Sequence, residues 1–165
     1  MTFTKNTDVE QHWSKICDLM NKCFFCAIAT VNEDGSPHIT PIGSVILRED
    51  CTGYFIQAFT VKMLKNLERD PRVCILGVNA SFLFWVLALL MGYFPTPPAV
   101  RLRGVVGAKR EGTKEQLGAF RQQVRFARVL KGYDLLWGNL KYIRDIRFES
   151  FEPVQLGTMT RDVWQ

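Results

Sequence analysis

Between Phe24 and Phe59 the chain reads as three extended runs joined by two polar turns too short to let neighbouring strands run parallel. Phe24 to Val31 is rich in aromatic, alanine and β-branched residues. Asn32-Glu33-Asp34-Gly35-Ser36-Pro37 is dense in turn formers, and Gly35 is suited to positive φ. His38 to Leu47 is a second strand, which makes the pair a β-hairpin. Arg48 to Gly53 is the next turn, and Tyr54 to Phe59 is a third strand. Further extended runs follow at Arg72–Val78, Val100–Ala108 and Tyr142–Pro153.

Helices punctuate this order. Val9, Trp13, Ile16, Leu19 and Met20 fall on one stripe of a first helix, capped by Thr7 or Asp8 and running to about Lys22. Thr60 is placed to cap a short helix from Val61 to Arg69. Asp70-Pro71 stops it, because a residue before proline is pushed out of helical geometry. Thr113 with Gln116 forms a capping box for a helix from Lys114 to about Leu130, with Leu117, Phe120, Val124 and Ala127 on one face and Gly132 as its end. Strands joined mostly by short turns, with helices outside, predict a mainly β (α+β) fold: an antiparallel split β-barrel with flanking helices. The 165 residues show no repeat or linker, so residues 1–165 read as one domain.

One segment interrupts the pattern. Phe82 to Phe94, FLFWVLALLMGYF, is apolar nearly all round, inside an insertion at about residues 80–98. It falls short of the roughly 20 residues a membrane-spanning helix needs, and Pro95, Pro97 and Pro98 stop it. A buried or partner-covered helix is favoured over membrane contact.

The five cysteines are odd in number and mostly in apolar surroundings, and the N-terminus lacks a basic start followed by an apolar run. Both point to a reduced, cytoplasmic location. Cys23 and Cys26 form a C-x-x-C without a second ligand pair, and on a strand their side chains would face opposite ways. They read as buried small hydrophobes, and no metal site is expected. His12 beside the first helix stripe reads as a packing or surface residue. Net charge is +5. That mild excess suits an anionic small molecule better than nucleic acid, and Arg121, Arg125, Arg128 and Lys131 read as a solvated helix face.

No nucleophile elbow, P-loop or zinc-protease motif is present. The best candidate site is Thr60-Val61-Lys62, where a strand ends and a helix begins. Free N–H groups, the positive end of the helix dipole, a hydroxyl and a mobile ammonium suit a terminal phosphate there. A plain helix cap beside a solvated lysine is the competing reading. Arg101 and Arg103 share one strand face, either at a solvent edge or gripping an anion.

Three stretches in this order, AIATVNEDGSPHITPIG (Ala27 to Gly43), YFIQAFTVKMLKNLERDPRV (Tyr54 to Val73) and VRLRGVV (Val100 to Val106), resemble the pyridoxamine 5'-phosphate oxidase-like, FMN-binding split-barrel proteins. The resemblance covers roughly residues 20 to 110. It implies a homodimer with FMN at the subunit interface and an oxidoreductase acting on a small molecule. Carried over by residue, it implies that Thr60 and Lys62 contact the FMN phosphate. Met63 and Gln57 lie beside that site, Thr40, Ile42, Gly43 and Ser44 pass the isoalloxazine ring, and Arg101 and Arg103 lie near cofactor and dimer contact. The apolar insertion would then bury itself at the dimer interface or lid the flavin. The second strand, HITPIGSVIL, lacks the family's Arg and Lys, and the tail FEPVQLGTMTRDVWQ lacks its substrate-phosphate signature. Both departures point away from pyridoxamine phosphate oxidation. A binding protein of the same fold holding deazaflavin or haem is the alternative, with His38 as the axial ligand a haem would ask for.

Overall fold

A computed structural model describes residues 6–58 and 60–164, with backbone alone for 6–8. The first helix, α1 (Asn6–Met20), is already helical upstream of the expected cap at Thr7 or Asp8, whose side chains lie outside the described residues. It ends two residues before the expected Lys22. Seven strands follow: β1 (Cys26–Val31), β2 (Pro37–Ile42), β3 (Ile46–Leu47), β4 (Thr52–Ile56), β5 (Arg72–Val78), β6 (Ala99–Glu111) and β7 (Tyr142–Pro153). Between them lie α2 (Val61–Arg69), α3 (Phe82–Met91), α4 (Lys114–Gln123) and α5 (Gly132–Trp137).

The strands form one antiparallel sheet in the order β2-β1-β5-β6-β7-β4-β3. β2 and β3 are consecutive in the chain yet lie at opposite edges. Laid flat at about 4.8 Å per strand, those edges would stand about 29 Å apart. The three residues Gly43 to Val45 join them, and at about 3.5 Å per residue the step from Ile42 to Ile46 spans at most about 14 Å. The sheet therefore curls until its edges nearly meet, without pairing: a split barrel. Register shifts between Arg103 and Gly104 and between Val106 and Lys109 on β6 supply local bend.

Alternation along the strands sets the layers. Val73 and Ile75 of β5, Val100, Leu102 and Val106 of β6 and Ile146 and Phe148 of β7 join Ile28, Phe55 and the α1 stripe in one core. β4 is buried on both faces: Phe55 enters that core, while Tyr54 and Ile56 enter a second core with Phe120, Val124, Leu140 and Ile143 beneath α4. Arg144, a buried cation, gives its Nε–H to Gln57 Oε1 at 2.9 Å and lies 3.6 Å from Glu68 of α2.

Several sequence expectations are corrected. The single strand His38–Leu47 is two strands, broken at Gly43 to Val45 where the chain crosses from one sheet edge to the other. The third strand ends at Ile56, and Phe59 lies outside the described residues. The capping box of Thr113 and Gln116 is present, but α4 stops at Gln123, where Val124 leaves helical geometry (φ −97°, ψ 11°). A 3-10 turn over Arg125–Ala127 follows, and Gly132 begins α5 rather than ending α4. Arg125, Arg128 and Lys131 are therefore not the outer face of one long helix. α2, β5 and β7 match their expected limits.

Candidate functional site

A cavity of about 900 Å³ opens where β2 leaves the sheet and β4 hands over to α2. Its walls come from five segments: the turn after α1, the end of β2 with its connector, the residues Ile56, Ala58 and Thr60, the start of the insertion at Ala80 and Ser81, and the α4–α5 region. Most of the lining is apolar. Phe24 and Phe25 meet edge to face at 4.5 Å, Phe24 faces Phe126 across 6.2 Å, and Phe120 packs edge to face on Trp137 at 6.1 Å. Asn21, Ser44, Thr60, Ser81 and Gln123 add polar groups, and Lys22 is the one charged residue among the described lining.

The strand-to-helix junction is built tightly. Met63 and Leu67 anchor α2 in the barrel core. The buried amide of Asn66 donates to Thr30 Oγ1 at 3.1 Å and to Asn32 Oδ1 at 3.0 Å, fastening α2 to the end of β1. Thr60 occupies the N-cap position, but its side chain makes no capping hydrogen bond, which corrects the expected hydroxyl cap. No acidic residue lies in the first turn of α2. The positive end of this nine-residue helix therefore stands beside the cavity without an acidic residue of its own.

Ser44 holds the seam of the barrel. The N–H of Gln57 goes to Tyr142 O on β7, so the N–H of Ile56 points the other way, toward the short β3 edge. There it is accepted by Ser44 Oγ at 3.2 Å, both groups being buried.

The structure brings Ile42, Gly43, Ser44 and Thr60 to the cavity. It does not bring the others there. Thr40 lies upstream on β2, 3.1 Å from His38 Nε2 through its hydroxyl. Gln57 is turned to Arg144. Met63 is fully buried in the barrel core. Lys62 is exposed, close enough to Asp34 to help hold its carboxyl below the ordinary value, after the larger pull of the Ser36 hydrogen bonds. Arg101 and Arg103 both grip Glu152, at 2.9 and 2.8 Å. Their strand partners are Leu76 and Cys74, on the outer face of the sheet.

Cys23 precedes β1 instead of lying on it, so Cys23 and Cys26 share one core rather than facing apart. Cys23 Sγ–H donates to Leu19 O at 3.3 Å. The Cys26 thiol is pushed up by its hydrogen bond with Cys23 and by burial, which keeps it protonated. Among the described residues no group of three His, Cys, Asp or Glu side chains gathers to hold a metal. Neither His12, which bonds Trp164 O, nor His38 lines the cavity.

The aromatic walls escaped the sequence reading: Phe24, Phe25, Phe126 and Trp137 carry no local motif. Phe24 and Phe25 were expected at the start of the first strand, which begins only at Cys26, and they and Phe126 are mostly exposed.

A protein-family profile described as pyridoxamine 5'-phosphate oxidase matches residues 13–147. No curated protein matches the sequence. HupZ from Group A Streptococcus superposes with a TM-score of 0.58 at 19% identity, over 87% of this chain and 94% of HupZ. A provisionally named pyridoxamine 5'-phosphate oxidase from Listeria innocua gives 0.51 at 14% identity, over 86% and 96% of the two chains. An F420 reductase gives 0.50 at 15% identity, over 82% and 94%. At such identities the likeness is one of fold.

Proposed function

The chain belongs to the pyridoxamine 5'-phosphate oxidase family, and from that premise we propose that its aromatic cavity receives FMN and that the protein is a homodimeric flavin-dependent oxidoreductase acting on a small molecule. One observation carries this reading. Two separate segments, Ile42 to Ser44 and the residues Ile56, Ala58 and Thr60, converge on one cavity with the start of α2 at its rim.

The residues present fit such a ligand. A flat conjugated ring matches walls of Phe24, Phe25 and Trp137. A phosphate dianion matches the uncapped first turn of α2, the Thr60 hydroxyl and, two residues on, the exposed Lys62 ammonium. When bound, the flavin would supply the electron-transfer chemistry. The chain binds and orients: the Ile56 N–H fixes the Ser44 hydroxyl, and the apolar lining keeps water from the ring's surroundings. Deazaflavin is the second reading, because the fold is shared with an F420 reductase. Haem is less favoured, since no histidine lines the cavity.

The homodimer finds a surface on the outer face of the sheet. Strand register aligns Ile39, Ala29, Cys74 and Arg103 in one row and Pro41, Ala27, Leu76 and Arg101 in the next. Glu152 bridges both arginines and cancels one of their two charges, at one end of an otherwise apolar face suited to a second copy of itself. No helix among the described residues is long and apolar enough to cross a membrane.

The test is an absorption spectrum of the purified protein and a mass measurement of any released cofactor, followed by titration of stripped protein. FMN should bind, and Thr60→Val and Lys62→Ala should each raise its Kd about tenfold, the worth of one hydrogen bond to a charged group. A colourless protein that ignores FMN overturns the reading; uptake of F420 alone moves it to deazaflavin.

A further inference from the structure

Two stretches depart from a water-facing surface: α3, whose Phe82, Leu83, Leu89 and Leu90 stand exposed instead of buried within this chain, and segment 121–136, which alone of the two adds cations to the apolar side chains. Because α4 stops at Gln123, the chain beyond it forms a crest instead of a helix with an inward stripe. On that crest Val129 is 90% exposed, Leu135 80%, Phe126 63% and Leu130 60%. Side chains of this size at such exposure, so close together, mark an interaction surface. Arg121, Arg125, Arg128 and Lys131 stand exposed among them. None of the four makes an ion pair among the described residues. Asp134 is the only carboxylate between Glu115 and Asp145.

We propose that this crest docks the protein on an anionic lipid surface, its apolar side chains entering the acyl boundary and its four cations lying at the headgroup phosphates. The pairing of large apolar tips with arginine and lysine is what such a boundary selects. A second copy fits less well. A two-fold contact sets a patch against itself, so four unpaired cations would meet four more with one aspartate from each side between them. Phe126 and Leu136 belong both to the crest and to the cavity lining, so a docked molecule opens its cavity toward the lipid.

The test is co-sedimentation of the full chain with phosphatidylcholine vesicles and with vesicles enriched in phosphatidylserine. Binding is expected to the second only, and to fall steeply with salt. Arg125→Gln with Arg128→Gln should weaken it about twenty-five-fold, taking about fivefold per cation. Val129→Asp should weaken it without altering the urea midpoint, because that side chain is almost wholly exposed. Protein left in the supernatant with phosphatidylserine vesicles overturns the proposal. So does a dimer that Val129→Asp converts to monomer in sedimentation velocity while vesicles are ignored.

Discussion

Ser44→Ala tests how the barrel seam is held. The Ile56 N–H has no ladder partner, because β3 covers only Gly53 and Tyr54 of β4. The Ser44 hydroxyl stands where a strand carbonyl would, accepting that N–H at 3.2 Å. Truncation leaves a buried donor unpaired, a loss of about 1–3 kcal/mol. The cavity beside Ser44 can admit a water to the vacated place, which puts the expected loss in the lower half, about 1–2 kcal/mol. For a chain of this length that is a fall in Tm of about 2–8 °C. Urea unfolding should show a lower midpoint with an unchanged m-value. Hydrogen exchange at the Ile56 amide should accelerate, and Ser44→Thr, which keeps the hydroxyl, should restore its protection. A loss below about 0.5 kcal/mol with Ile56 still protected would refute the argument, since the seam would then be held by something other than this hydroxyl.

Two further expectations concern the hairpin and the acid limb of stability. A Cβ at Gly53 would lie 2.7 Å from the Ile46 carbonyl oxygen and 3.2 Å from the Phe148 ring. Gly53→Ala should therefore force β3 off β4 and cost about 1–3 kcal/mol in urea unfolding; a neutral substitution would mean that β3 lies farther away. Asp145 is gripped by Arg110 and by Arg48, which hold its carboxyl below the ordinary 3.8, the Arg110 hydrogen bond pulling hardest. A depressed folded value means stability present in full above 3.8 and lost as pH falls through the folded value. The advantage of the native protein over Asp145→Asn should stay level near neutrality and shrink below about pH 4. An advantage that persists there would assign the effect to shape instead of charge.

Local signals made β5, α2 and β7 legible. β5 alternates strictly between core and outer face, Asp70-Pro71 stops α2, and β7 runs unbroken from Tyr142 to Pro153. The errors came where local and distant forces produce the same pattern. Nothing in HITPIGSVIL says that the chain crosses from one edge of the sheet to the other, because Gly43-Ser44 marks at most a bend and says nothing of which strand the next residues pair with. The apolar spacing through Phe120, Val124 and Ala127 survives the change from α-helix to 3-10 turn. The two helices differ by only 3.6 against 3.0 residues per turn, and Ala127 stays buried in either.

The candidate site divides along the same line. Thr60 could be found because a strand-to-helix junction has its own chemistry of free N–H groups, whereas Ser44, in the connector between β2 and β3, was implied only by the family resemblance. The faces of Arg101 and Arg103 were also legible, since a period of two puts them together. Their partner was not. Glu152 lies opposite Arg101 only because β7 pairs with β6 in one register out of several, and two bulges downstream help set it. The aromatic walls are harder still, since Phe126 and Trp137 reach the cavity only after α4 has broken and α5 has turned back. A sequence can announce the end of a site where backbone groups are left unpaired. The end made of side chains from separate elements exists only once the sheet has curled, which is why a hydroxyl and a helix start were found before the ring of aromatic residues facing them.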